Sequence, residues 1–402
     1  MNTRLDTRMC TLLACGLMAL QAPAVLASDG ASPSPSGAIA ANISATGTGN
    51  DTAPQQVEWP EVKWVAETEN FLQVRFRNAA ENFTAEWGNL PQERVSQGAV
   101  LREGSAGPRV VAVRRRLGLP EAGIFDANLG DRISTYRAAH DLPAGRHIDN
   151  TLIRSFNLGF AHYARLIDRN LQRLRRLPGR LGNRFVLVDS AVQQLSMFDG
   201  QQIAGSMKVV VGKASDQTPS LVGEIDRVVL NPYWNVPPDL TQSRYAARVL
   251  DGGKRYLDTR GFEALSDWSD TARVLGYDEV NWRFVASGER ELRLRQRPGP
   301  GNGMGTIKFM FANEYGVYLH DTPSKALFDR SNRLFSAGCV RLEKPWQLAE
   351  WLFGFTPTTP SSDPEQSVNL PETVPIYMVY LTATPSADGF DFRSDVYGRD
   401  IL

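Results

Sequence analysis

Cys339 is the only cysteine outside the first twenty residues, where Cys10 and Cys15 lie. It stands in "FSAGCVRLEKP", and the nearest histidine in sequence, His320, comes nineteen residues earlier. A thiol and an imidazole are the two parts of a nucleophilic site. The imidazole takes the thiol proton and later returns it to the leaving group. The thiolate is the attacking species, and neighbouring cations or a helix N-terminus bring its pKa from about 8.5 to roughly 3.5–7.5. Arg341 is such a cation, and Pro345 reads as the first residue of a helix with Trp346, Leu348, Ala349 and Leu352 on its apolar side. Gly338 lets backbone and substrate approach closely, and its N–H with that of Cys339 would form an oxyanion hole. Ser336 would orient the loop or hold His320.

These residues need a scaffold. In "GVYLHDT" the period of two puts Val317 and Leu319 on one strand face and Tyr318 with His320 on the other. From residue 183 the pattern is mostly strands. "NRFVLVDSAVQQLSMFDGQQIAGSMKVVVGK" turns at Asp199-Gly200, "DRVVLNPYWNVP" ends at Pro237-Pro238, and "RELRLRQRP", "GTIKFMF" and "PIYMVYLTAT" follow. Residues 239–290 break the pattern and read as a helical, irregular insertion. Upstream, residues 98–158 read as a small helical module: Val110, Val113 and Leu117 share one helix face, then Leu129, Ile133 and Tyr136, with Asp149 opening a third helix. A connecting helix within 159–182 stops at Pro178-Gly179. Residues 57–97 hold Trp59, Trp64 and Trp87 around a helical stretch and read as a packed segment.

The N-terminus reads as a secretory signal over residues 1–27. Arg4 and Arg8 precede an apolar run from Met9 to Leu20, and Ala22, Ala24 and Ala27 form a small-residue cleavage site, with cutting expected after Ala27. The run is short for a membrane span. Residues 28–56, rich in Ser, Gly, Ala, Thr and Pro, read as a flexible tether. Lys+Arg and Asp+Glu are both 44, so no bulk basic charge points to nucleic acid. An exported chain left with one cysteine forms no internal disulfide, and an unpaired thiol outside the cytoplasm risks oxidation. Taken alone, Cys339 reads as a small core residue and His320 as a satisfied strand end. The pairing of the two in an exported chain favours catalysis.

The segment "YLHDTPSKALFDRSNRLFSAGCVRL" resembles the signature of the YkuD-type L,D-transpeptidases, a histidine followed by Ser-x-Gly-Cys-x-Arg. "VVVGKASDQTPSLVGEIDRVVLNPYWNVP", "LRLRQRPGPGNGMGTIKFMF" and "DGFDFRSDVYGRD" resemble the periplasmic subgroup with long N-terminal extensions, and 98–158 resembles a peptidoglycan-binding domain. The resemblance implies a mainly-β catalytic domain over 183–402 carrying a helical cap, preceded by a small helical domain, and located in the periplasm. It implies that Cys339 attacks the diaminopimelate carbonyl of a stem tetrapeptide and releases the terminal D-alanine. His320 would shuttle the proton, Gly338 and Cys339 N–H groups would hold the oxyanion, and Tyr318, Ser336 and Arg341 would bind substrate or order the loop. The thioester would pass to a second stem as a 3–3 cross-link, with peptidoglycan peptides and glycan as partners and with no metal or cofactor; such enzymes react with carbapenems. Ala337 departs from the His or Ser of many relatives.

A papain-like peptidase places its cysteine before its histidine, and no histidine follows Cys339. A sortase shares the order but not the cysteine context, and the four histidines lack zinc-ligand spacing. The non-enzyme alternative is a wall-binding scaffold with a retired catalytic domain. Within the enzyme reading, carboxypeptidase action or lipoprotein attachment shares the first half-reaction.

Overall fold

A computed structural model describes residues 68–358, 363–387 and 389–400. The expected signal, the tether, Trp59 and Trp64 lie outside the described residues. Helix α1 (Phe71–Trp87) opens on a capping box: Gln73 N–H donates to Asn70 Oδ1 at 3.0 Å, and Asn70 N–H donates to Gln73 Oε1 at 2.9 Å. Three short helices follow, α2 (Pro108–Arg116), α3 (Ala127–Ala139) and α4 (Asn150–Leu158). The expected faces are inside: Val110, Val113, Leu129 and Ile133 are fully buried with Leu117 and Tyr136 beside them. An internal repeat holds this bundle. Arg114 Nη1 bonds Asp126 Oδ1 at 2.9 Å, and Arg137 Nη2 bonds Asp149 Oδ1 at 2.7 Å. Each aspartate also accepts from the third N–H of the helix it opens, Leu129 or Leu152. Each arginine also donates to a proline carbonyl, Pro120 or Pro143. Helix α5 (Phe160–Leu174) then leads away.

The sheet of the C-terminal half uses β1 (Arg184–Asp189), β2 (Gln194–Asp199), β3 (Gln202–Gly212) and β4 (Leu221–Leu230). It continues, beyond a cap that spans four further strands described below, with β9 (Ile307–Phe311), β10 (Leu319–His320), β11 (Leu334–Ser336), β12 (Val340–Leu342) and β13 (Gln366–Val379). Their order is β11-β3-β12-β10-β9-β4-β13-β1-β2, and β3 also pairs with β2. The long β3 joins both edges, its first half on β2 and its end on β12 and β11, so the sheet closes into a barrel. Val186, Val209, Phe309, Leu319, Val340 and Ile376 fill it, and helix α9 (Pro345–Phe353) adds Leu348 and Leu352. This is the mainly-β architecture expected from the sequence.

The cap has a core and a sheet of its own. Strand β5 (Trp234–Val236), β6 (Phe262–Leu265), β7 (Val274–Leu275) and β8 (Arg293–Gln296) run in the order β5-β8-β6-β7. Against them lie the single turn α6 (Pro238–Leu240), a π-helical stretch Thr241–Ala246, α7 (Ala247–Arg260) and α8 (Trp282–Ser287) around Val249, Trp282 and Leu294. Two sequence expectations change here. "DRVVLNPYWNVP" is two strands in two sheets, because Pro232 cannot donate to a ladder and ends β4. "RELRLRQRP" pairs within the cap, so the insertion is helix plus sheet.

Helices α1 and α5 pack on the outer face of β1, β2 and β13 and on the hairpin of β14 (Ala383–Ser386) and β15 (Gly389–Phe392). That hairpin splits the expected strand "PIYMVYLTAT". Phe390 and Phe392 meet Phe83, and Phe392 meets the half-buried His140 of the small bundle at 5.0 Å, so helices and barrel share an aromatic seam.

Candidate active site

Strands β10 and β12 pair in parallel, Leu319 opposite Val340 and His320 opposite Arg341. Leu319 and Val340 point into the barrel core. By alternation Tyr318, His320, Cys339 and Arg341 take the other face together. The Tyr318 and His320 rings meet edge-on at 6.0 Å. Burial raises the Tyr318 phenol, and the neighbouring Cys339 adds to it.

His320 is 2% exposed, and its Nδ1 lies 2.5 Å from the Asp321 carbonyl oxygen. A carbonyl only accepts, so Nδ1 carries the proton and Nε2 is left with the lone pair of a base. Burial, then the Arg341 charge, pushes the ring down to about 3, against the Asp321 and Met304 carbonyls. The carboxylate of Asp321 is pinned in turn: Thr306 N–H donates to Oδ2 at 2.9 Å and Lys325 Nζ to Oδ1 at 2.7 Å. Gly305 makes room for it. A Cβ there would lie 2.3 Å from Asp321 Oδ2, and the backbone has φ +64°.

Cys339 is half-buried. Burial pushes its thiol up, while the Tyr318 N–H and the Arg341 charge oppose this. The sequence expectation of a lowered thiol is therefore reversed: strand β12 lies between Cys339 and the helix start, and desolvation outweighs one arginine. Among the described residues no hydrogen bond joins Cys339 to His320. The resting pair is a neutral thiol and a neutral imidazole on one face of adjacent strands.

The loop before the sulfur is tied to itself. Ser336 Oγ donates to the Cys339 carbonyl at 2.6 Å and accepts from Gly338 N–H at 3.2 Å. Ser336 thus orders the loop and makes no bond to His320. Gly338 has φ +108°, a backbone only glycine adopts readily, although a Cβ would find room. Its N–H is engaged by Ser336, whereas the Cys339 N–H has no acceptor among the described residues. Of the two N–H groups expected to face an oxyanion, only that of Cys339 is therefore free of an acceptor among the described residues. Outside the loop, Thr218 Oγ1 donates to the Gly338 carbonyl at 2.8 Å, and Tyr397 OH donates to the Gly212 carbonyl at 2.7 Å. Gly212 N–H in turn donates to Thr218 Oγ1 at 2.9 Å. Asp321, Thr218 and Tyr397 were not among the residues singled out from sequence. Only the Asp that follows His320 gave a local signal.

A cleft of about 570 Å³ lies between barrel and cap. Ser336, Ala337 and Arg341, on either side of Cys339 in sequence, line it from the barrel, and Trp234, Arg244 and Tyr245 from the cap. The cleft has room for an extended peptide and runs along the loop that carries Cys339, although Cys339, His320 and Tyr318 do not themselves line it. Among the described residues, no helix is long and apolar enough to cross a membrane.

Residues 183–365 match the family model described as YkuD, L,D-transpeptidase catalytic domain. A Haemophilus influenzae protein named as a candidate L,D-transpeptidase is 31% identical over 238 residues, 58% of this chain and 47% of that protein. The chain thus spans about half the length of this curated relative. An L,D-transpeptidase structure from Mycobacterium smegmatis aligns with TM-score 0.24 and 13% identity over 49% of this chain and 58% of that one. One from Stackebrandtia nassauensis aligns with TM-score 0.22 and 12% identity over 75% and 91%.

Proposed function

We propose, from the match of residues 183–365 to the YkuD L,D-transpeptidase catalytic-domain model, that the protein forms 3–3 cross-links in peptidoglycan through a thioester on Cys339. The observation that carries the reading is the shared face of β10 and β12. It sets a half-buried thiol beside an imidazole whose Nδ1 is already committed to a carbonyl.

The donor is a stem tetrapeptide lying in the cleft. Sγ of Cys339 attacks the diaminopimelate carbonyl as Nε2 of His320 takes the thiol proton. Because the thiol is held up and the ring held down, proton transfer accompanies attack rather than preceding it. The Cys339 N–H receives the developing oxyanion. Collapse breaks the C–N bond, and the imidazolium returns its proton to the departing D-alanine amine. The side-chain amine of a second diaminopimelate then attacks the thioester and gives its proton to His320. The thiolate leaves and recovers that proton. Arg341 and Tyr318 border the acyl group. The bundle at 98–158 is a peptidoglycan-binding module that keeps the domain on its polymer, and residues 1–27 export the chain to the periplasm.

The test is muropeptide analysis of purified sacculi after incubation with the protein. New 3–3 dimers are expected with the wild type and not with Cys339→Ala or His320→Ala. Sacculi that gain no such dimers would remove the cross-linking step.

A further inference from the structure

The cleft has a charge pattern that the thiol chemistry does not require. Lys213, Arg244, Arg248, Arg260 and Arg341 line it, and no aspartate or glutamate does. Lys213 has a partner in Asp216 at 2.9 Å. The four arginines have no ion pair among the described residues. Arg244 and Arg248 stand four residues apart, at the π-helical stretch and on α7, so they share one face of the cap. Arg244 is close enough to Arg341 to lower it further, after burial has done most. Nε of Arg341 is buried without a hydrogen-bond partner among the described residues. A buried donor left so is normally satisfied by something. The arginines stand among Trp234, Tyr245 and Tyr256, whose apolar surfaces weaken solvent screening and strengthen any ion pair formed there.

We propose that this wall is a carboxylate-binding subsite, so that the enzyme selects stem peptides whose side-chain and terminal carboxylates are free over those in which they are amidated. The proposal rests on the functional reading above. Guanidinium groups match carboxylates in fork geometry, and a D-glutamyl-diaminopimelyl peptide is a polyanion. Cations drawn together without protein carboxylates repel one another, and an anionic peptide relieves that repulsion. Substrate charge is then read by the cap, while the barrel supplies the chemistry.

The experiment uses the full chain and an uncleavable tetrapeptide whose L-to-D amide is replaced by a ketomethylene group. This probe is prepared with free carboxylates and as its diamide, and binding is measured by calorimetry. In the wild type the free acid should bind about tenfold more tightly than the diamide, a gap that shrinks with added salt. In R244Q/R248Q the free acid should fall to the diamide's affinity, with the diamide unchanged. Both side chains are exposed, so folding is not at stake, and R244K/R248K should keep part of the preference. Equal affinity of the two probes for the wild type, equal weakening of both in the variant, or no binding of the free acid would each overturn the subsite. Turnover of the cleavable tetrapeptide, followed separately as D-alanine release, bears on the transpeptidase reading alone.

Discussion

At the scale of single residues, the site is defined by two opposed desolvations. Burial holds the Cys339 thiol up and the His320 ring down to about 3, so neither charged partner is stable at rest. The sign can be read in reactivity. A thiol whose pKa is raised has less thiolate at neutral pH than a free cysteine. Iodoacetamide alkylation of Cys339 should therefore stay slow at pH 7 and climb beyond about pH 8.5, where free cysteine is already half ionised. A rate that has levelled off by pH 7 would mean a preformed ion pair instead. Ser336 is the second residue with a clear consequence, since its hydroxyl both donates and accepts within the loop. Ser336→Ala should cost about 1 kcal/mol of stability in urea denaturation. It should lower kcat for D-alanine release about tenfold to a hundredfold, because an oxyanion donor misplaced by a fraction of an ångström stabilises little.

At the scale of elements, the loop is braced from the far end of the chain. Tyr397 holds Gly212, which holds Thr218, which holds the Gly338 carbonyl. Tyr397→Phe removes the donated bond without removing the ring. It should lower kcat several-fold with KM nearly unchanged; a change in KM alone would place Tyr397 in substrate binding instead. This brace was not legible in the sequence. Tyr397 lies 58 positions after Cys339, and no spacing rule links residues that meet only through a folded barrel. What was legible had local causes. Helix faces such as Val110, Val113 and Leu117 follow the 3.6-residue period, and the shared face of Tyr318 and His320 follows the period of two. The cap's sheet was misassigned because its strands of two to four residues carry the same alternation as barrel strands. Pro232 was the available signal for the break. The Arg–Pro–Asp repeat, 114/120/126 and 137/143/149, was also visible as identical spacing, but its meaning needs the helix ends that the aspartates cap.

At the scale of the whole molecule, the small bundle and the barrel are stabilised by different means and joined by an aromatic seam. Arg137 is 1% exposed and depends on Asp149. Asp149→Ala removes a helix cap and leaves that guanidinium unpaired, at a cost of about 3 kcal/mol to the bundle. Urea unfolding of the variant should show the loss, and a change within about 0.5 kcal/mol would mean water replaces the carboxylate. The seam has a pH dependence. Burial pushes His140 down to about 4, as it does His320 to about 3. In the unfolded chain both titrate near 6.5, so their stabilisation is complete above that pH and is lost as pH falls toward 4. Each contributes at most about 1.4 kcal/mol per pH unit. Asp189, pushed up to about 7 by burial, acts oppositely over the same window. The net expectation is a fall in urea midpoint from pH 7 to pH 5, with a shallower slope in His140→Asn. A midpoint that rises on acidification would mean that Asp189 outweighs both rings.

The central claim is a covalent bond between substrate and one sulfur. Intact-protein mass spectrometry after mixing the full chain with a stem tetrapeptide reads it directly. The expected result is a mass gain equal to the tripeptide acyl group, mapped to the peptide containing Cys339, with one D-alanine released per adduct and neither product in Cys339→Ala. Release of D-alanine at wild-type rate by Cys339→Ala would contradict the account.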